Sequence, residues 1–141
     1  MDSVRYVDVF SGTPFKGNAL AVFHGADGLS DEQMADIARW TNLSETTFLM
    51  TPTDPAADYA VRIWTTGGEL PFAGHPTLGS AHAWLEAGGV PAREAAVVQQ
   101  CAAGLVTVRR GDRLAFAAPP LMRSGPVEQS EAQALVAALG L

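Results

Sequence analysis

The chain has 141 residues, 48% of them hydrophobic, which suits one domain with a sizeable core. Its net charge of −6 and its scattered Lys and Arg residues exclude nucleic acid as an expected partner, because phosphate neutralisation needs clustered basic residues. The single cysteine, Cys101, excludes a disulfide framework and a cysteine-rich metal site. No signal peptide is recognisable, and no apolar run approaches the roughly 20 residues that span a bilayer. We therefore expect a cytoplasmic protein without a membrane partner.

The first elements are two short strands and a helix. "VRYVDVFSG" predicts a strand, the loop "GTPFKGN" follows, and "ALAVFHG" predicts a second strand that ends at the loop residue His24. "LSDEQMADIARWTN" then predicts a helix, in which Ser30 and Gln33 form a capping box. Its packed face is expected to hold Met34, Ile37, Ala38 and Trp40.

The middle of the chain alternates strands with one more helix. "ETTFLM" and "DYAVRIWT" predict strands, and a loop leads from the second of them into "PTLGSAHAWLEAGG". This segment is expected to be a helix that ends at Gly88-Gly89 and places His82 near its packed face.

The last third predicts strands and a final helix. "AAVVQQ" and "LVTVRR" pair through "CAAG", a turn at Gly111-Asp112 leads into "RLAFAAP", and "SEAQALVAALGL" is a helix capped by Ser130 with Gln133. Strands in adjacent runs with two or three helices indicate the α+β class rather than a regular βαβ alternation.

Gly74-His75-Pro76 in "ELPFAGHPTLG" is the first candidate site. Proline favours the first turn of a helix, so the N–H groups of Thr77 and Leu78 are expected to be free and to attract an anion. Gly74 permits close approach of a ligand to the backbone, and His75 adds a polar group. The pattern equally fits a well-made turn with an exposed histidine.

Glu45 in "NLSETTFL" is the second candidate. A carboxylate at the start of an apolar strand is either solvated at the edge or desolvated, and a desolvated carboxyl group can serve as base and acid near neutral pH. Ser44 could orient it. Asn18, in the Gly-Asn turn of "FKGNALAV", either shapes that turn or reaches a ligand with its amide. No His/Asp/Glu spacing predicts a metal site, and no phosphate-binding glycine loop is present.

Three stretches occur together and in order: "DVFSGTPFKGNALAVF", "NLSETTFL" and "ELPFAGHPTLGSAHAWL". In combination they resemble the N-terminal half of the phenazine-biosynthesis isomerase (PhzF-like) family, which has the diaminopimelate-epimerase fold. The resemblance implies a mixed, curved sheet or barrel around a central helix, and it is strongest over residues 5 to 88.

The resemblance also implies roles for the candidate residues. Glu45 would be the catalytic acid and base and His75 the pocket histidine, and the residues expected to bind substrate are Asn18, Ser44, Gly74, Pro76 and Thr77. The implied activity is a proton shift, without any cofactor or metal, on a small carboxylated, amino-bearing ring such as trans-2,3-dihydro-3-hydroxyanthranilate. Secondary metabolism is the expected setting. The alternative is a lobe that binds ligand or serves as a scaffold without chemistry.

Members of the family are two similar lobes with the active site in the cleft between them. The resemblance implies that residues 1–141 are a single N-terminal lobe and that the second lobe is absent from this chain. A lone lobe would expose its apolar cleft face. A complementary second-lobe chain is the favoured expectation, and pairing of two copies or an inactive fragment are the other possibilities.

Overall fold

The computed structural model describes residues 1–118 and 124–140. The strands are β1 (Ser3–Val9), β2 (Asn18–His24), β3 (Thr46–Met50), β4 (Tyr59–Thr65), β5 (Gly68–Leu70), β6 (Ala96–Cys101), β7 (Gly104–Arg109) and β8 (Ala115–Phe116). The helices are α1 (Asp31–Thr41), α2 (Gly74–Glu86) and α3 (Gln129–Ala138). Within these residues, no helix is both long enough and apolar enough to span a membrane.

The strands of the described residues form one mixed sheet in the order β1-β2-β3-β4-β6-β7-β8, and β5 forms a hairpin with β4. Most neighbours are antiparallel, but β2 runs parallel to β3 and β4 runs parallel to β6. Parallel neighbours need a crossover connection, and α1 and α2 lie in these two connections. The sheet is therefore covered by a helix on each face.

Helix α2 is the central helix around which the sheet curves. It contacts β1, β2 and β3 on one side and β6 and β7 on the other, and buried residues occur on nearly every face of its first two turns. The inward side of the sheet supplies the larger apolar cluster, which includes Leu20, Val22, Leu49, Tyr59, Val61, Ile63 and Val97. The predicted α+β class, with a curved mixed sheet around a central helix, is confirmed.

Helix α1 covers the other face of the sheet and confirms the predicted capping box. Ser30 accepts a hydrogen bond from the Gln33 N–H at 3.2 Å, and the Gln33 side chain accepts one from the Ser30 N–H at 2.9 Å. Met34 and Ala38 are buried, but the prediction for Trp40 is wrong because its side chain is 80% exposed. Position 40 lies two residues past Ala38, about 200° around the helix, and so points away from the sheet.

Two other details of the helices correct the sequence analysis. His82 is exposed on α2 rather than packed, and its Nε2 lies 3.5 Å from Glu86 Oε1 one turn later. Helix α3 begins after Glu128 without a side-chain cap, so Ser130 is inside the helix and does not cap it.

Strand β5 lies in a segment that the sequence predicted to be a loop. It pairs with β4 because Thr65 stabilises a tight turn by accepting the N–H groups of Gly67 and Gly68, both at 3.1 Å.

Candidate active site

The three leading candidate residues meet at one edge of the sheet. Asn18 begins β2, Glu45 directly precedes β3, and His75 is in the first turn of α2. Because β2 and β3 are parallel, their first residues lie at the same edge. His75 Nδ1 lies 3.3 Å from Glu45 Oε2 and 3.3 Å from Asn18 Nδ2. Residues separated by up to 57 positions therefore form one polar cluster.

The cluster is largely removed from water. The side chain of Glu45 is 17% exposed and that of His75 is 7% exposed. Glu45 Oε2 and His75 Nε2 are both buried and have no hydrogen-bond partner. Buried polar atoms without a partner are uncommon in folded proteins and carry a free-energy cost, so these two atoms mark the cluster as a candidate ligand site.

Burial controls the ionisation of His75. Desolvation lowers the pKa of its imidazole below the ordinary value of 6.5, and the negative charge of Glu45 and a hydrogen bond with the Ala19 backbone oppose this shift. The neutral ring is therefore favoured at neutral pH. A neutral ring can accept the Asn18 amide hydrogen at Nδ1, whereas a ring protonated at Nδ1 can donate to Glu45.

The hydrogen bonding at the N-terminus of α2 differs from the prediction. The Thr77 N–H donates to Ala73 O at 3.2 Å and the Thr77 hydroxyl donates to the same oxygen at 2.9 Å, so the prediction of a free N–H at Thr77 is wrong. Pro76 is the third residue of α2 and lies in its first turn, as predicted, so the helix begins at Gly74. The N–H groups without a partner in the helix are those of Gly74 and His75. The positive end of the helix dipole thus lies directly at His75 rather than beyond it.

The remaining predicted residues differ in their surroundings. Ser44 is exposed and lies next to Glu45 in the chain, whereas Pro76 and Thr77 are buried. Gly74 leaves space for the aromatic ring of Phe116, since a Cβ at position 74 would lie 3.1 Å from Phe116 Cζ. Sequence reasoning missed Phe116, because nothing in the local pattern of β8 connects it to a turn about forty residues earlier.

The loop between β1 and β2 places a second aromatic ring beside the cluster. The ring centroid of Phe10 lies 6.3 Å from that of His75. Asp8 holds this loop by accepting the Gly17 N–H at 2.8 Å, and a Cβ on Gly17 would approach Val9 O to 2.1 Å. "DVFSG" and "KGN" therefore form one closed loop, whereas the sequence pattern predicted a loop without this contact.

No metal centre is assembled in the described part of the chain. No group of three His, Cys, Asp or Glu side chains is placed there to hold a metal ion. Cys101 is buried and its thiol donates to Gly104 O at 3.4 Å.

Comparison with known proteins identifies the family. A model of the phenazine biosynthesis-like proteins (PhzC-PhzF) matches residues 7–136, and the chain belongs to this family. It is 52% identical over 104 residues to Antisense-enhancing sequence 1 of Schizosaccharomyces pombe, covering 74% of this chain and 35% of that protein. It is also 52% identical over 75 residues to a trans-2,3-dihydro-3-hydroxyanthranilate isomerase of Pseudomonas chlororaphis, covering 53% of this chain and 27% of the isomerase.

Solved structures agree with the fold. The PhzF-family protein of Bacillus anthracis superposes with a TM-score of 0.69 at 31% identity, covering 77% of this chain and 35% of that structure. A hydroxyproline epimerase of Agrobacterium vitis, at 20% identity, shares the fold alone. The chain therefore has the epimerase-like fold expected from its motifs, and its relatives include proteins named as isomerases. It spans about a third of the length of the relatives that it matches.

Proposed function

We propose that this chain provides one lobe of a cofactor-free isomerase that shifts a proton within a small carboxylated, amino-bearing cyclic metabolite. The observation that carries this proposal is the shielded contact between Glu45 and His75 beside the free N–H groups of α2. The relative named for trans-2,3-dihydro-3-hydroxyanthranilate supports a ring of that kind as substrate. Phenazine-type secondary metabolism is the corresponding setting.

Glu45 is proposed as the group that carries the proton. Its ionised Oε2 would take a proton from one ring carbon, and the electron pair of the broken C–H bond would move into the conjugated system. The protonated carboxyl group would then return the proton to another ring carbon as the double bond shifts. A single carboxyl group can perform both steps because it ends in its starting state. The partial burial of Glu45 supports this role, because its carboxyl group is shielded from bulk water, while its 17% exposure still lets its proton exchange with solvent between the two steps.

The other residues of the cluster would bind and orient the substrate. The N–H groups of Gly74 and His75, at the positive end of α2, would hold the substrate carboxylate. His75 Nε2 would donate to a substrate oxygen when the ring is neutral, and Asn18 would fix the ring through Nδ1. Ser44 would contact the substrate from the exposed side. Pro76 and Thr77 would act by shaping the turn, because both are buried.

A second protein surface is proposed to close the site. Phe10 and Phe15, in the loop beside the cluster, are 71% and 96% exposed. Both adopt the left-handed backbone conformation, at φ 72° and 63°, which is costly for residues other than glycine. Exposed aromatic rings in strained positions support a covering partner. A complementary second-lobe chain is favoured over a second copy of this one, and the mass of the native complex distinguishes them.

Solvent deuterium incorporation tests the catalytic proposal. The assembled protein is incubated with trans-2,3-dihydro-3-hydroxyanthranilate in D₂O, and deuterium in the product is followed by mass spectrometry. Glu45→Gln is expected to lower the exchange rate by about 10²–10⁴-fold, the usual contribution of a positioned acid or base. Glu32→Gln, which removes an exposed carboxylate from α1, is the matched control and should leave exchange unchanged.

The results of this experiment distinguish the isomerase lobe from the non-catalytic binding lobe. Undiminished exchange in Glu45→Gln would remove Glu45 from the mechanism. Binding of the carboxylate ligand without any exchange, in every assembly that the chain forms, would instead establish the non-catalytic binding lobe.

A further inference from the structure

A buried hydrogen bond joins the two motifs that carry the candidate site. The Ser80 hydroxyl donates to Thr47 Oγ1 at 3.0 Å, and both side chains are completely buried. Thr47 lies two residues after Glu45 on β3, and Ser80 lies five residues after His75 on α2. A buried hydrogen bond thus joins the strand and the helix within two residues of Glu45 and five residues of His75.

Other contacts also hold this part of α2. The buried Gln99 side chain donates to Thr77 Oγ1 at 2.9 Å, which ties the helix to β6 rather than to β3. Gly79 lets the helix approach the sheet closely, since a Cβ there would lie 2.6 Å from Leu20 Cδ2 and 2.9 Å from Val9 Cγ2. Such apolar contacts are non-directional and permit small slides of one element past another. A hydrogen bond between two hydroxyl groups restricts both distance and angle. Of these contacts, the Thr47–Ser80 bond is the one that ties α2 directionally to β3.

We infer that Thr47 and Ser80 are positioning residues, whose hydrogen bond sets the separation between the Glu45 carboxylate and the His75 imidazole. The inference rests on the proposed function for the importance of that separation, but the separation itself is measurable without turnover. An apolar pair of similar shape would contribute nearly the same stability, because a buried neutral hydrogen bond has a small net free energy. What the hydroxyl pair adds is a defined register between strand and helix.

The separation can be read from the titration of His75 in the full chain. The negative charge of Glu45 raises the pKa of His75, so Glu45→Gln should lower that pKa, as followed by the imidazole signals in nuclear magnetic resonance. The size of this drop measures how closely the two groups approach. Because the interaction falls with distance, a retreat of about 1 Å from the present 3.3 Å would remove roughly a quarter of it.

The experiment compares the drop in the pKa of His75 that Glu45→Gln causes in the wild-type chain and in chains that carry a second substitution. In Thr47→Val and in Ser80→Ala the drop should shrink, and in Thr47→Ser, which keeps the hydroxyl, it should stay near its original size. The double variant Thr47→Val/Ser80→Ala leaves no buried hydroxyl unpaired and should show the same reduction with a smaller loss of stability. It therefore keeps the test decisive if a single variant folds poorly.

Thr46→Val is the matched control. Thr46 is equally buried and adjacent, but its hydroxyl pairs with that of Thr41 at 2.7 Å, toward α1 on the opposite face of β3. Thr46→Val should leave the drop unchanged. An equal drop in all backgrounds, or an equal reduction in Thr46→Val and Thr47→Val, would overturn the positioning role. Neither result depends on isomerase activity, so failure of this inference and failure of the proposed function are distinguishable.

Discussion

The close approach of α2 to the sheet predicts an unusual response to Gly79→Ala. Replacing glycine by alanine inside a helix normally adds up to about 1 kcal/mol of stability. At this position the new Cβ would lie 2.6 Å from Leu20 Cδ2 and 2.9 Å from Val9 Cγ2, whereas ordinary carbon contacts are about 3.5–4.0 Å. Leu20 is fully buried, so a shift of its side chain would disturb the packed atoms around it. Overpacking of this kind costs about 1–3 kcal/mol, so we expect a net loss of about 1 kcal/mol.

Urea unfolding of four proteins measures this effect: wild type, Gly79→Ala, Leu20→Ala and the double variant. Leu20→Ala alone should cost about 2–5 kcal/mol, because it leaves a cavity. In its background, Gly79→Ala should cost less than in wild type, since only the contact to Val9 Cγ2 remains close. A Gly79→Ala protein that is more stable than wild type, or effects that simply add, would contradict the packing described for α2.

Three further predictions concern stability. Burial lowers the pKa of both His24 and His75, so the unfolded chain binds more protons than the folded chain near pH 6. The free energy of unfolding should therefore fall as the pH drops below about 6.5. Urea unfolding at several pH values should show a weaker pH dependence for the double variant His24→Gln/His75→Gln. Asp58 accepts the backbone N–H groups of Ala92 and Val98, both at 2.7 Å, so Asp58→Ala should cost about 1–3 kcal/mol and Asp58→Asn less. Trp40→Lys should change the unfolding free energy by less than about 0.5 kcal/mol, because that side chain is exposed.

The sequence predicted an element correctly where a single local signal, such as a helix cap or an alternation of apolar residues, determines it. Ser30 and Gln33 cap α1 as expected, because both bonds of a capping box lie within four residues. The alternation of Tyr59, Val61 and Ile63 predicted β4, since one face of that strand packs on the core. Trp40 was misplaced because hydrophobicity alone does not fix the angle of a side chain around a helix.

The site was predictable in part for a similar reason. Glu45, His75 and Asn18 were each found from short motifs, but the strand order that brings them within 3.3 Å of one another is a long-range property. The helix begins at Gly74, two residues before the segment predicted from Pro76, because Pro76 fits the third helical position as well as the first. Phe116 had no local signal, since it reaches Gly74 only after β7 and β8 fold back over α2.

A crystal structure of the assembled protein with its carboxylate substrate tests the central claim most directly. We expect the substrate carboxylate at the N–H groups of Gly74 and His75, and Glu45 Oε2 in contact with the carbon that loses its proton, with a second protein surface shielding both. A substrate bound elsewhere, or a Glu45 carboxylate surrounded by bulk water in the complete assembly, would contradict it.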